Sequence, residues 1–224
     1  MHRKLLAASF LASLFCALEV SFAQASASAA TPDVSSAFGE KLSVPGLVNA
    51  GKISGALFRG AQPRREGFLQ LKQMGITVIV DLRAEDAHKR EWERRQTEAQ
   101  GIRFVSIPVG GWNAPTDAQV AQFFSLFQGD AKQRVFVHCH YGDDRTGVFV
   151  AVYRIAYDHW SVDNAIREMH FFGFRGFWHP AMESYARSFP ELLQNDPILA
   201  PFRKGSPPLA RTANSGAPRN PRNR

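Results

Sequence analysis

The chain has 224 residues, 45% of them hydrophobic, with two cysteines and a formal net charge of +7. That composition excludes a disordered or collagen-like chain and a disulfide scaffold, and the length fits one domain with extensions. Arg203, Lys204, Arg211, Arg219, Arg222 and Arg224 close the chain with no acid among them, so the rest is near neutral and no basic nucleic-acid surface is expected.

At the start, Arg3 and Lys4 precede an apolar run, Leu5–Leu18, and Ser21, Phe22 and Ala23 offer a small-x-small cleavage site. This predicts a secretory signal peptide over 1–23. The run is too short for a comfortable membrane span, so no stable membrane insertion is expected after cleavage. Phe15, ahead of Cys16, stands where bacterial lipoprotein signals have a small residue. The segment resembles bacterial export signals, which implies a periplasmic or secreted protein. With it removed, Cys139 is the sole cysteine. It then has no intramolecular disulfide partner and reads as a working thiol rather than a structural one. A redox relay would need a resolving cysteine.

An Ala- and Ser-rich linker is expected over 24–37, one domain over 38–202, and a basic disordered tail over 203–224 marked by Gly205, Pro207, Pro208, Gly216, Pro218 and Pro221. Within the domain, Leu57–Arg59 reads as a short strand and Gly60–Pro63 as a turn. Phe68, Leu69, Leu71 and Met74 have helical spacing, ended by Gly75. The run from Ile76 to Arg83 is apolar enough for a central strand, with Asp81 and Arg83 read as structural anchors at its end. A charged helix over Glu85–Gln100 ends at Gly101, and Arg103–Val109 is the next strand. Thr116 and Gln119 form a possible capping box ahead of a helical stripe of Val120, Phe123, Phe124 and Phe127. Ser161–Phe171 and Pro180–Phe189 read as closing helices. Strands alternating with helices predict an α/β domain with a mainly parallel sheet flanked by helices.

The stretch from Val135 to Gly147 organises the rest. Val135–Val137 is a buried strand, a loop follows, and Val148–Ile155 is helical. Backbone N–H groups at a helix start lack intrahelical partners and converge on anions. Gly142 lets the loop bend and approach a phosphate. Arg145 carries the planar fork that grips two phosphate oxygens. Cys139 faces the positive end of the helix, where the thiolate is favoured and becomes a nucleophile. His138 is expected to hold the loop from behind, and Thr146 to hydrogen-bond the sulfur. His140 and Tyr141 fall on the rim, with Asp143 directed to solvent. The aromatic, glycine-rich run Phe171–His179 reads either as a pocket wall or as a core lid. No histidine spacing suggests a metal site, and no cofactor is expected.

The pattern His138, Cys139, Gly142, Arg145, Thr146 and Gly147 resembles the signature loop of the cysteine-dependent protein tyrosine and dual-specificity phosphatases. Phe58–Pro63 and Val78–Arg83 resemble the opening strands of the atypical dual-specificity group of bacteria, plants and fungi. The resemblance implies a phosphatase fold and hydrolysis of a phosphorylated protein or small phosphate ester through phosphocysteine, with Cys139 as nucleophile, Arg145 as phosphate clamp, and His140, Tyr141, Gly142, Asp143, Thr146 and Gly147 around the substrate. Asp144 and Asp117 compete as general acid. Asp144 is preferred because a loop acid just before the arginine is similar to the myotubularin-type pattern; Asp117 loosely resembles the acid of a Trp-Pro-Asp loop. Phosphotyrosine is the expected substrate. An inositol phosphate, rhodanese-like sulfur transfer and a non-catalytic phosphate-binding module are the alternatives, and a third class is an interaction protein acting through its basic tail.

Overall fold

The computed structural model describes residues 38–129 and 132–203. The expected signal peptide, the linker and the tail beyond Arg203 lie outside the described residues. In chain order the elements are β1 (Glu40–Lys41), β2 (Gly51–Lys52), β3 (Leu57–Ala61), α1 (Arg65–Gln73), β4 (Val78–Arg83), α2 (Ala87–Ala99), β5 (Arg103–Val109), α3 (Asp117–Ser125), β6 (Val135–Cys139), α4 (Asp144–Tyr157), α5 (Val162–Phe171) and α6 (Pro180–Asn195). They build a six-stranded sheet in the order β1-β2-β3-β6-β4-β5. The four long strands are parallel, and β1 and β2 add an antiparallel margin beyond β3. Among the described residues, no helix is long and apolar enough to cross a membrane.

Every residue of β3, β4 and β6 is buried, as strands covered on both faces require. Alternation divides them. Leu57, Val80, Val135, Val137 and Cys139 join the core under α3 to α6. Phe58, Ile79 and Phe136 join a smaller core with Phe68 and Leu71 of α1. The capping box on α3 is present in both directions, Thr116 N to Gln119 Oε1 (2.8 Å) and Gln119 N to Thr116 Oγ1 (3.3 Å). It starts the helix whose Val120, Phe123 and Phe124 are fully buried.

The elements expected from the sequence are all found, and several boundaries move. β3 runs on through Gly60 and Ala61, which pair with His138 and Cys139 instead of turning. The α2 helix starts at Ala87, not at Glu85, because Asp86 adopts a left-handed backbone (φ 57°) and its side chain accepts from Lys89 N. This leaves Glu85 in the loop at the end of β4. The α4 helix starts at Asp144, so Asp144, Arg145 and Thr146 stand on its first turn. The α6 helix passes through Pro190 to Asn195, carrying Leu193 into the core. Arg203, where the tail was expected to begin, belongs to the body, donating to Leu193 O (2.7 Å) and Asp196 O (3.1 Å).

Candidate active site

The loop from Cys139 to Asp144 joins the end of β6, inside the sheet, to α4, whose residues from Asp144 to Ala156 are all buried. Gly142 has φ +75°, and a Cβ there would lie 2.4 Å from Gly60 C and 2.5 Å from Ala61 N. Only glycine allows this packing of the loop on β3. The same residue's N–H points at Cys139 Sγ at 3.3 Å. Its carbonyl is gripped from the other side by Arg59 Nη2 and by Asn49 Nδ2 (3.1 Å). Asn49 also donates to Tyr141 O and Phe172 O. The thiol is free and 2% exposed.

A closed set of charges lies on the α1–α2 side of the sheet, behind the loop. Arg83 bonds Asp81 through Nε (2.8 Å) and Nη2 (2.9 Å), and reaches Glu93 Oε2 at 2.5 Å. Glu93 Oε1 lies 2.6 Å from His138 Nε2. All four residues are buried. Burial by itself would strip the proton from His138, but the adjacent Glu93 and Asp81 outweigh it and the imidazole holds its proton more tightly than usual. His138 Nδ1 lies 3.2 Å from Cys139 O, where the strand enters the loop. Asp81 and Arg83, read as anchors, bond each other inside this set and do not line the cavity.

Above the loop opens a cavity of about 340 Å³ lined by Gly111, Trp112, Cys139, Tyr141, Asp143, Asp144, Arg145, Arg175, Trp178 and His179. Arg145 donates to both oxygens of Glu85 (2.8 Å each) and to Val109 O (3.1 Å). That pairing, more than burial opposes it, holds the Glu85 carboxyl down to about 2. Asp144 is buried; its Oδ1 accepts from Arg175 N (3.0 Å), and its Oδ2 faces Arg175 Nη2 (2.8 Å) and His179 Nε2 (3.1 Å). The His179 ring in turn contacts Trp112, with ring centres 4.9 Å apart.

Three expectations change. Asp143 does not point to solvent: its Oδ1 caps α4 by accepting from Asp144 N (2.9 Å), and its Oδ2 pairs with Arg175 (3.1 Å). Burial raises its carboxyl above the ordinary carboxylate value. Thr146 does not bond the sulfur; its hydroxyl is buried without a hydrogen-bond partner. The Phe171–His179 run is both wall and core, since Arg175, Trp178 and His179 line the cavity while Phe172 and Phe174 are buried.

Asp117 does not line the cavity. It sits on the first turn of α3 and accepts from Tyr185 Oη at 2.6 Å; burial raises its carboxyl. His140 is exposed and does not line the cavity; its carbonyl accepts from Gln62 N, and Gly147 lies inside α4 against Met169. Arg59, Glu85 and Glu93 complete the site without having been singled out, whereas Arg175 and His179 belong to the run read as a pocket wall or core lid. The charged helix around Glu93 gave no apolar signal, and the others reach the loop from distant positions in the chain.

A family model described as DSP-PTPase phosphatase fused to NAD+ kinase matches residues 47–182, more than half of the chain. The dual specificity protein phosphatase TpbA of Pseudomonas aeruginosa (strain UCBPP-PA14) is similar at 29% identity over 128 residues, 57% of this chain and 56% of that protein. The chain thus spans about half the length of this curated relative. The crystal structure of P. aeruginosa TpbA in complex with pTyr superposes with a TM-score of 0.58 at 23% identity, covering 73% of this chain and 96% of that one. The core catalytic domain of the PP-IP phosphatase SIW14 from S. cerevisiae, in complex with citrate, gives a TM-score of 0.57 at 18% identity, covering 70% and 98%. At these identities the solved structures bear on the fold, and they agree with the expected phosphatase-like α/β sheet.

Proposed function

From the premise that this chain belongs to the DSP-PTPase phosphatase family, we propose that it is a cysteine-dependent phosphomonoesterase acting on aryl phosphates, phosphotyrosine in proteins foremost. The observation that carries this reading is the meeting of Cys139, the Gly142 N–H on its sulfur and Arg145 at the base of one cavity. Cys139 Sγ attacks phosphorus, and the P–O bond to the leaving group breaks as the S–P bond forms. Arg145, its plane fixed by Glu85, and the loop amides stabilise the equatorial oxygens. Asp144 protonates the leaving oxygen, being the carboxyl of the two candidates that faces the cavity. Water, deprotonated by the same carboxylate, then releases inorganic phosphate from phosphocysteine.

Two features support an aryl phosphate over a polyphosphate. Trp112, Tyr141 and Trp178 stand around the mouth at 68%, 61% and 59% exposure, able to stack a ring. Glu85 offsets Arg145 and Asp143 offsets Arg175, which leaves no surplus positive charge for a highly charged inositol phosphate. The complex of TpbA with pTyr is consistent with this choice. Export to the periplasm or medium belongs to the same proposal and rests on the Arg3–Ala23 leader.

The test is hydrolysis of p-nitrophenyl phosphate, a phosphotyrosine peptide and an inositol polyphosphate by the unmodified protein and by Cys139→Ser. The expected result is turnover of the first two, lost in the variant. An inert wild type, or a Cys139→Ser variant with full activity, would sink the phosphatase reading. A preference for the inositol ester would move the substrate class.

A further inference from the structure

Two sets of charges are buried at the carboxyl end of the sheet, and they differ in kind. On the α1–α2 side, Arg83 and His138 each meet a carboxylate, from Asp81 or Glu93. On the other side stands Arg59, and it meets none. Its register partner in β6 is Val137, so strand alternation sends its side chain to the face that carries Cys139. Arg59 is 0% exposed, and its Nε and Nη1 have no hydrogen-bond partner. Its remaining contacts are Nη2 on Gly142 O and the face of the Phe172 ring, 4.1 Å from the guanidinium carbon.

Such a residue is costly to bury, because an uncompensated internal charge is strongly disfavoured. Satisfying the Gly142 carbonyl does not explain it, since Asn49 already donates there at 3.1 Å. The two carboxylates that act on Arg59 from a distance are engaged elsewhere: Glu168 with Arg154, and Asp143 with Arg175. Desolvation lowers the guanidinium to about 10, which still leaves it charged at neutral pH. Of the three acidic groups whose charge acts on Arg59, Cys139 is the one without an ion-pair partner.

We propose that Arg59 is the buried counter-ion of the Cys139 thiolate, a positioning residue that pins Gly142 by its carbonyl beside the sulfur and supplies a fixed positive charge there. This inference rests on Cys139 being the nucleophile. The charge serves both anionic states of the cycle, the free thiolate and the phosphoryl group once transferred to sulfur. Through Gly142 it also holds the N–H that bonds the sulfur. Arg145 grips the substrate from the cavity side, whereas Arg59 is sealed from solvent and is not displaced when substrate arrives.

The test measures the rate of Cys139 alkylation by iodoacetamide against pH in the full chain and in Arg59→Met and Arg59→Lys, with circular dichroism to establish folding. In Arg59→Met the half-maximal pH is expected to rise by about one unit or more, the scale on which nearby charges act, and Arg59→Lys is expected to recover part of the shift. A merely structural role would leave the profile in place. A folded Arg59→Met variant whose profile superposes on wild type would overturn the proposal. Should that variant not fold, the melting temperatures of wild type and Cys139→Ser decide. Their difference is expected to widen with rising pH, because a buried cation beside the sulfur favours the thiolate form in the folded state alone. A difference flat in pH overturns the proposal. Alkylation reads the thiolate without any turnover, so a superposed profile in an active protein overturns this proposal and leaves the phosphatase reading standing.

Discussion

Gly142→Ala would set a Cβ against backbone atoms of Gly60 and Ala61 in a left-handed conformation. No flexible side chain is there to yield. The expected loss is more than about 1 kcal/mol of stability, read as a lower melting temperature, together with loss of activity because the Gly142 N–H leaves the sulfur. A variant of unchanged stability would show that the loop can detach from β3. For the acid, Asp144→Asn is expected to slow phenyl phosphate hydrolysis by on the order of 10²-fold or more, and Asp117→Asn to change it little. p-Nitrophenyl phosphate, whose leaving group needs little proton help, should respond less to Asp144→Asn. The reverse ranking would return the role to Asp117. Cys139, Gly142 and Arg145 were legible in the sequence because one loop holds them at fixed spacing. Arg59 and Glu85 were not, since their partners lie 83 and 60 positions away.

At the scale of elements, His138 on β6 and Glu93 on α2 tie a strand to a helix through buried charge. The folded protein binds the His138 proton more tightly than the unfolded chain does. The resulting stability is full below the unfolded imidazole value of about 6.5 and fades as pH rises through the higher folded value. His138→Asn should therefore cost more melting temperature near pH 6 than near pH 9. Asp81 acts with the opposite sign. Burial would raise its carboxyl, but His138 and Arg83 hold it below its ordinary value, so its contribution disappears only in stronger acid. A His138→Asn deficit independent of pH would mean that the ring acts through packing alone. Thr116→Ala removes half of the capping box on α3 and should cost about 1 kcal/mol, measurable by urea unfolding. Helix and strand identities were readable from apolar periodicity. The starts of α2 and α4 were not, because side-chain caps at Asp86 and Asp143 set them.

For the whole molecule, the α/β class followed from alternation alone, while the order of strands rests on parallel pairings between distant segments that no local pattern encodes. The excess positive charge of the sequence sits after Phe202, and the two guanidiniums at the cavity are paired, Arg145 with Glu85 and Arg175 with Asp143. Turnover of a small aryl phosphate should therefore vary by less than about threefold in kcat/KM between about 0.05 and about 0.3 M salt. A steep fall would reveal a positive field and argue for polyanionic substrates. The contact of Arg59 with Gly142 closes a loop of 83 positions, which has a kinetic corollary. Closures of that span are made late in folding, after local helices. During refolding from denaturant, helical signal should return before Cys139 regains its native reactivity. A newly made chain would then pass through an interval in which it is compact, helical and still unable to turn over its substrate.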